Sequence, residues 1–230
     1  MTGAPAQDPG LLTAMWPATP HPAPSGPPTR WSALQSGREA ARAYRQRFLD
    51  LEAGGDDIHG EARFVTELAP PPSRILDAGC GFGRVASKLT RLGHVAIGVD
   101  ADPDLIALAH EDNETRFVVA DLATLDLRFE QEFHVVLLAG NVVPFLADGT
   151  LPAVLDRLAA HLAPGGSLVA GFGLGGPSLP DLAARVGLTM YDRIAAANGL
   201  SFIARYSTWD RAPFGPNDDY AVSVHRLNTG

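Results

Sequence analysis

Short apolar runs alternate with stretches of helical periodicity over most of the chain. After the first run, Val85, Leu89 and Leu92 recur at the spacing that places them on one helix face, and Gly93 ends the pattern. Strands separated by helices predict a mostly parallel sheet with helices on both faces. The predicted strands begin at Arg74, Val95, Arg116, Phe133, Ser167 and Leu200, and a seventh spans Tyr220–His225.

The last two predicted strands are connected differently from the others. A loop from about Asp210 to Asp219 joins them, and it contains proline and glycine but no helical periodicity. A crossover between parallel strands normally needs about a dozen residues, usually with a helix. We therefore expect these two strands to pair antiparallel, as a hairpin at the end of the sheet.

The residues before the first strand divide into a proline-rich tail and a helical segment. Eight of the 19 prolines fall within residues 1–28, a composition that predicts a flexible tail over residues 1–29. The periodicity predicts one amphipathic helix over Trp31–Glu52 and a second over Glu61–Leu68. The expected organisation is a single domain over residues 30–230, with a helical cap over 30–70 and an α/β core over 74–230.

Composition and charge argue against several classes of protein. The net charge is −8 and no basic cluster is present, so nucleic acid is not expected as a partner. The longest apolar run, Val135–Ala147, is too short for a membrane span and contains Asn141 and Pro144. A single cysteine, Cys80, excludes an internal disulfide and a multi-cysteine metal site. Because the N-terminus lacks the pattern of a secretory signal, a cytoplasmic location is expected.

The candidate chemistry is concentrated where the first three predicted strands end. The turn after the first strand, Asp77–Gly83, is rich in glycine, which lets a ligand approach the backbone at a helix N-terminus. Asp100 ends the second strand, where a carboxylate can accept both hydroxyls of a ribose, and Asp121 ends the third. Singly, the glycines could serve tight packing and the aspartates could be helix caps. Together they predict a nucleotide-like ligand, but Arg84 stands where a dinucleotide fingerprint expects its third glycine.

This arrangement resembles the class I S-adenosylmethionine-dependent methyltransferases. The resemblance covers about Trp31–Leu227 and implies a Rossmann-like, doubly wound, seven-stranded sheet, mostly parallel with an antiparallel C-terminal hairpin. It also implies S-adenosylmethionine as the cofactor and methyl transfer to a nitrogen or oxygen of an acceptor. The residues that carry it are Asp77–Gly83, Asp100, Asp121, Leu122 and Ala163–Gly166, together with the closing hairpin.

The resemblance also assigns cofactor contacts to particular residues. Arg63 is a candidate partner for the cofactor carboxylate, with a simple surface arginine as the alternative. The other assignments are Gly79, Cys80 and Gly81 against the methionine and ribose, Asp100 on the ribose hydroxyls, Ala101 and Leu122 beside the adenine, Asp121 on the adenine amino group, and Ala139 and Gly140 at the methionine ammonium.

The acceptor is expected to be a small molecule. The helices before the first strand and the loop around Trp209 are placed to roof the site, and a roof also excludes water from the transfer. Tyr44, Asn141 and Trp209 are the candidate acceptor contacts, although Asn141 could instead fix a loop and Trp209 could merely pack one. A base is needed only if the acceptor arrives protonated, and His59 and Asn141 are the candidates for a catalytic role.

Two other functions share parts of this pattern. An NAD(P)-dependent oxidoreductase of Rossmann type would use the same sheet and the same ribose carboxylate. A non-catalytic methyltransferase-like module would bind the cofactor without turning it over. No metal ligands are expected in any of the three.

Overall fold

A seven-stranded sheet forms the middle layer of the protein. The computed structural model describes residues 26–34, 36–111, 115–127 and 132–229, and in this part of the chain the strands are β1 (Arg74–Ala78), β2 (Val95–Asp100), β3 (Arg116–Val119), β4 (Phe133–Leu138), β5 (Leu162–Gly173), β6 (Leu200–Tyr206) and β7 (Tyr220–Leu227). Their order is β3-β2-β1-β4-β5-β7-β6. The pairs among β1 to β5 are parallel, whereas β7 runs antiparallel to both β5 and β6. The predicted fold class, including its terminal hairpin, is confirmed.

Helices cover both faces of this sheet. They are α1 (Arg30–Leu34), α2 (Arg38–Ala53), α3 (Gly60–Leu68), α4 (Arg84–Arg91), α5 (Pro103–Glu111), α6 (Val142–Phe145), α7 (Leu151–Ala160) and α8 (Leu188–Ala197). Side chains alternate between the two faces along each strand, so Val136 and Leu138 of β4 pack with α7 and α8. Val135 and Leu137 pack in the opposite core, with α3, α4 and α5.

The N-terminal helices differ from the prediction of one continuous helix over Trp31–Glu52. That prediction is wrong, because α1 ends at Leu34 and α2 begins at Arg38. Gly37 precedes α2 with φ of +90°, and a right-handed helix cannot continue through a left-handed residue. The break lets α1 run in a different direction from α2, which packs on α5 through Ala41 and Leu105.

Two elements between β4 and β6 also differ from the sequence pattern. β5 begins at Leu162 rather than at Ser167, because Leu162 pairs with Phe133 before the register shifts and resumes at Ser167. No helix is predicted between β5 and β6, yet α8 lies there and buries Tyr191. The stretch before α8 is rich in glycine and proline and is typical of a loop, and the apolar face of α8 is too short to give a clear helical periodicity.

None of the helices in the described ranges combines the length and the apolar character that crossing a bilayer would require.

Candidate functional site

A cavity of about 580 Å³ lies at the carboxyl ends of β1 to β4. Parallel strands present these ends at one edge of the sheet, which is where ligands bind in open α/β folds. The roof of the cavity comes from the N-terminal segment, including Gly26–Thr29, Trp31, Tyr44 and Phe48. Its floor contains every predicted cofactor residue except Arg63, namely Gly79, Cys80, Gly81, Asp100, Ala101, Asp121, Leu122, Ala139 and Gly140.

The glycine turn after β1 brings bare backbone to the cavity. Gly79 and Gly81 have φ of +83° and +56°, a left-handed conformation that residues with a side chain rarely adopt. A Cβ atom on Gly79 would overlap the side chain of Val142, and a Cβ on Gly81 would lie 3.7 Å from the ring of Tyr44. Gly79 is therefore required both by its backbone conformation and by its neighbour Val142, whereas Gly81 is required by its backbone conformation, since 3.7 Å is an ordinary van der Waals contact.

Asp77 supports this turn from behind. Its side chain is buried and accepts a hydrogen bond of 3.1 Å from the backbone N–H of Ala86, in the first turns of α4. Burial raises the pKa of Asp77 to about 7, although the positive charge of Arg84 and this hydrogen bond act in the opposite direction. The carboxyl group thus ties the end of β1 to the helix that follows it.

Asp100 stands at the end of β2 and is held by backbone groups on both sides. Its Oδ2 accepts a hydrogen bond of 2.8 Å from the N–H of Gly81, and its Oδ1 accepts one of 2.9 Å from the N–H of Asp102. Burial raises the pKa of Asp100 to about 6, and these hydrogen bonds partly offset the effect. The backbone N–H of Ala101 also interacts with this carboxyl group. Because a carboxylate has about four lone-pair sites, at least one remains for a hydroxyl group of a ligand.

Asp121 and Leu122 follow β3 in the same cavity. Oδ1 of Asp121 accepts a 2.8 Å hydrogen bond from the N–H of Ala123 and caps the short 3₁₀ turn Leu122–Thr124. Its other oxygen, Oδ2, lies against Gly26 so closely that a Cβ there would collide with it. The predicted tail over residues 1–29 therefore needs correction at its end, because residues 26–29 line the site, while residues 1–25 lie outside the described part.

Asn141 holds a loop rather than lining the cavity. Its backbone has φ of +67°. The side-chain Oδ1 accepts a 2.6 Å hydrogen bond from the N–H of Gly173, and Nδ2 donates one of 3.2 Å to the carbonyl of Ser178. Both ends of the amide are thus occupied, which fits the loop-fixing alternative and leaves the predicted acceptor contact without support.

Two further candidates from the helical cap also lie outside the cavity lining. Arg63 pairs with Asp57 at 2.5 Å and with Asp210 at 2.9 Å, and these two hydrogen bonds raise the pKa of the guanidinium further. Arg63 is half exposed, which agrees with the alternative that it is a simple surface arginine. His59 has Nε2 3.5 Å from a carboxylate oxygen of Glu52, and burial lowers the pKa of its ring.

Trp209 packs the hairpin loop against the body of the domain. Its ring meets Phe64 of α3 edge-on, with centroids 5.6 Å apart. It also fills the space above Gly171, where a Cβ would collide with the indole ring and with the hydroxyl of Tyr220. Trp209 is not among the residues that line the cavity. It therefore packs the loop, and its predicted role as an acceptor contact has no support.

Tyr44 does line the cavity, as part of a group of aromatic residues that the sequence analysis does not identify as a set. We call this group the aromatic wall. Neighbouring rings meet at centroid distances of 4.9 to 5.9 Å, most of them edge-on. The aromatic wall consists of Trp31, Tyr44, Phe48, Phe82 and Phe145.

The ion pair between Glu61 and Arg84 is a second feature that sequence reasoning misses. The guanidinium of Arg84 donates to the two carboxylate oxygens of Glu61 at 2.9 and 2.6 Å and to the carbonyl of Ile58. It also stacks over the ring of Phe48 at 4.8 Å. Both charged side chains are nearly buried, at 11% and 12% exposure, so Arg84 reaches the cavity with its charge already compensated.

The cavity residues fit the chemical parts of S-adenosylmethionine. The bare backbone at Gly79 and Gly81 is a cradle that any Cβ would fill, and it suits a close approach by the ribose and methionine parts. Asp100 retains lone pairs for ribose hydroxyls, and Ala101 and Leu122 supply apolar surface for a base. The cavity lining contains acidic and apolar groups, which suit a cationic sulfonium.

Comparison with known proteins agrees with this fit. The family model for a methyltransferase domain matches residues 75–166. A TehB-like S-adenosylmethionine-dependent methyltransferase from Corynebacterium glutamicum is 34% identical, with a TM-score of 0.76 over 84% of this chain and 100% of that one. The CcbJ methyltransferase from Streptomyces caelestis, 23% identical with a TM-score of 0.65 over 74% of this chain and 89% of that one, shares the fold.

Curated relatives match over a smaller part of their length. A ubiquinone biosynthesis O-methyltransferase from Nitrobacter winogradskyi is 39% identical over 42% of this chain, and a ribosomal protein L11 methyltransferase from Xanthomonas axonopodis is 32% identical over 59%. The chain spans about two fifths of their length, 37% and 40% respectively. Since the Corynebacterium protein is matched over its whole length, the chain belongs to the S-adenosylmethionine-dependent methyltransferase family.

Proposed function

We propose that this protein is an enzyme that transfers the methyl group of S-adenosylmethionine, by in-line displacement, to a nitrogen or oxygen of a small-molecule acceptor. The observation that carries this proposal is the cavity at the carboxyl edge of the sheet, which combines the glycine turn and Asp100 with a roof of N-terminal residues. The family membership of the chain supports the same conclusion.

The floor of the cavity would hold the cofactor. Asp100 would accept hydrogen bonds from the ribose hydroxyls, while Ala101, Asp121 and Leu122 would surround the adenine. Gly79, Cys80, Gly81, Ala139 and Gly140 would present backbone to the methionine part. When bound, S-adenosylmethionine supplies a methyl group that its sulfonium has already activated, so the protein has mainly to align the acceptor and exclude water.

The roof serves the exclusion of water. α1 is attached on one side by Arg30, whose Nη2 lies 2.7 Å from a carboxylate oxygen of Asp148. On the other side the indole N–H of Trp31 donates to Asp102 at 3.3 Å. The helix thus connects the end of β2 with the loop after α6, and it closes the cavity from above.

The cavity residues next to the acceptor would align it for the transfer rather than remove a proton from it. Among the described residues that line the cavity there is no histidine, and His59 and Asn141 lie outside it. An acceptor that arrives with a free lone pair needs no base. Tyr44, whose hydroxyl keeps its proton because burial raises its pKa, is the proposed acceptor contact among the predicted residues.

Of the alternative functions, the oxidoreductase is wrong, because the matched relatives are methyltransferases. A cofactor-binding module without turnover stays an alternative, and formation of S-adenosylhomocysteine with any acceptor would eliminate it. The experiment must also include macromolecular acceptors, because some relatives are named ribosomal protein L11 methyltransferase. The roofed cavity favours a small molecule over these.

The test is transfer of a labelled methyl group. The protein would be incubated with methyl-labelled S-adenosylmethionine and, in separate reactions, a small-metabolite extract, ribosomal protein and tRNA. We expect label in the small-metabolite fraction and an equal amount of S-adenosylhomocysteine. Label in protein or tRNA only would contradict the proposed acceptor class, and no S-adenosylhomocysteine in any reaction would contradict the proposed activity.

A further inference from the structure

The aromatic wall is a preformed apolar surface that the cofactor assignments do not use. Trp31 meets Tyr44 at 4.9 Å and Phe145 at 5.7 Å, and Phe48 meets Tyr44 at 5.2 Å and Phe82 at 5.7 Å. Rings locked by edge-on neighbours have little freedom to rearrange, so the surface exists before any ligand arrives. Such a surface is suited to a flat aromatic partner, which can stack on one ring and meet others by their edges.

The charges at the cavity select against acceptors with a net negative charge. S-adenosylmethionine is not such a ligand, because its carboxylate is accompanied by an ammonium and a sulfonium. Among its described lining residues, five are aspartates and one, Arg84, is basic. Arg84 is already bound by both carboxylate oxygens of Glu61. A carboxylate or phosphate of an acceptor would lose its hydration here without gaining an uncompensated cation, which is unfavourable.

A neutral or cationic ligand does not have this cost, and a cation gains favourable contacts in the cavity. Asp102 and Asp104 face the cavity, and aromatic faces attract cations. Arg84 over Phe48, at 4.8 Å, already shows one such contact in the wall. An amine can therefore interact favourably with both the wall and the acidic residues.

Building on the proposed function, we propose that the methyl acceptor is a planar aromatic or heteroaromatic molecule that is uncharged or cationic and carries no carboxylate, phosphate or other anionic group. The nitrogen or oxygen that is methylated arrives neutral, with a free lone pair, and any proton that it carries leaves to water after the transfer. The aromatic wall binds its ring system, and the charge distribution of the cavity excludes its acidic analogues. The acceptor is thereby distinguished from amino acids, organic acids and nucleotides of similar size.

The test uses three probes that share a ring and a chain length and differ in charge. Tryptamine is cationic, indole-3-ethanol is neutral and indole-3-acetate is anionic. Calorimetry would measure the dissociation constant of each for the full-length protein saturated with S-adenosylhomocysteine. We expect tryptamine and indole-3-ethanol to bind at least about tenfold more tightly than indole-3-acetate. Equal binding of all three, tighter binding of indole-3-acetate, or no binding by any of them would overturn the inference.

A pair of variants tests the role of charge at the cavity. Glu61→Gln leaves Arg84 without its counter-charge, so we expect the preference against indole-3-acetate to fall by about tenfold. Asp57→Asn removes a carboxylate whose partner Arg63 lies outside the cavity, and it should leave the preference unchanged. An unchanged preference in a folded Glu61→Gln variant would contradict the charge argument. If that variant does not fold, Phe48→Leu should weaken tryptamine binding several-fold, and unchanged binding would contradict the aromatic wall.

The two proposals fail in different ways. Failure of the proposed function would appear as no binding of S-adenosylhomocysteine and no methyl transfer to any acceptor. Failure of the present inference would appear as normal binding of S-adenosylhomocysteine together with one of the contradicting probe results.

Discussion

The backbone N–H of Gly81 donates a hydrogen bond of 2.8 Å to Oδ2 of Asp100, across 19 positions of sequence. This contact joins the glycine turn after β1 to the carboxyl end of β2. It orients the Asp100 side chain before any ligand binds, so the ribose site is preorganised. It also means that Asp100 contributes both to the shape of the turn and to the proposed cofactor contact.

Replacing Asp100 should separate these two contributions. In Asp100→Asn, the amide retains one acceptor oxygen for a backbone N–H but loses the charged acceptor for the ribose. We expect the binding free energy of S-adenosylhomocysteine to weaken by about 1 to 3 kcal/mol. Calorimetry would measure this, with Asp57→Asn as the control. Equal affinity in both variants and the wild type would show that Asp100 only shapes the turn.

Cofactor affinity should depend on pH through the same carboxyl group. The pKa of Asp100 is raised to about 6 by burial, and only the ionised form offers all its lone pairs to the ribose. Affinity should therefore be full above this pKa and fall as the pH falls through about 6. The dissociation constant of S-adenosylhomocysteine would be measured between about pH 5 and pH 8. The pKa of Asp77 is also raised, to about 7, so Asp100→Asn is the control. If the affinity of that variant falls with pH in the same way as that of the wild type, the pH dependence comes from a group other than Asp100.

Trp31 should control the retention of the cofactor more than the stability of the fold. α1 has no fully buried residue, but the indole ring connects Asp102 to Phe145 over the cavity. In Trp31→Ala we expect S-adenosylhomocysteine to dissociate about tenfold faster, with little change in melting temperature. Stopped-flow fluorescence with a competing ligand and a melting curve would measure the two quantities. Leu34→Ala, at an exposed position of the same helix, should leave both unchanged.

Asn141 should matter for stability rather than for cofactor binding. Asn141→Ala leaves the N–H of Gly173 without its acceptor and places alanine at φ of +67°. We expect the free energy of unfolding to fall by about 2 to 4 kcal/mol. Urea denaturation would measure this, and Asn198→Ala, which removes one bond at the end of α8, should cost less. A stable Asn141→Ala variant with lost turnover would instead restore Asn141 as an acceptor contact.

The floor of the cavity could be predicted from the sequence because sheet geometry places it. When strands run parallel, the residues that follow them meet at one edge, so a glycine turn, Asp100 and Asp121 come together whatever the loops do. The residues of the floor need only the correct strand assignment, and the strand pattern of this chain is regular. That is why nine of the predicted cofactor residues lie in one cavity.

The roof could not be predicted in the same way. The aromatic wall gathers residues from α1, α2, the glycine turn and α6. Helical spacing relates Tyr44 to Phe48 within α2, but no spacing in the sequence relates the four segments to one another. The Glu61–Arg84 pair spans 23 positions and depends on how α3 packs against α4. Arg63 is predicted at the cofactor carboxylate and Trp209 at the acceptor, but Arg63 pairs with Asp210 beside Trp209 and so attaches the hairpin loop to α3 instead. Side-chain partners of this kind are decided by tertiary packing, and only the glycine at position 37 signals the break that directs α1 over the cavity.

The most direct test of the account is calorimetric titration of the unmodified protein with S-adenosylhomocysteine and, separately, with NAD. The cavity and the family predict a dissociation constant of about micromolar order for S-adenosylhomocysteine and no measurable binding of NAD. Binding of NAD with no binding of S-adenosylhomocysteine or S-adenosylmethionine would contradict the account.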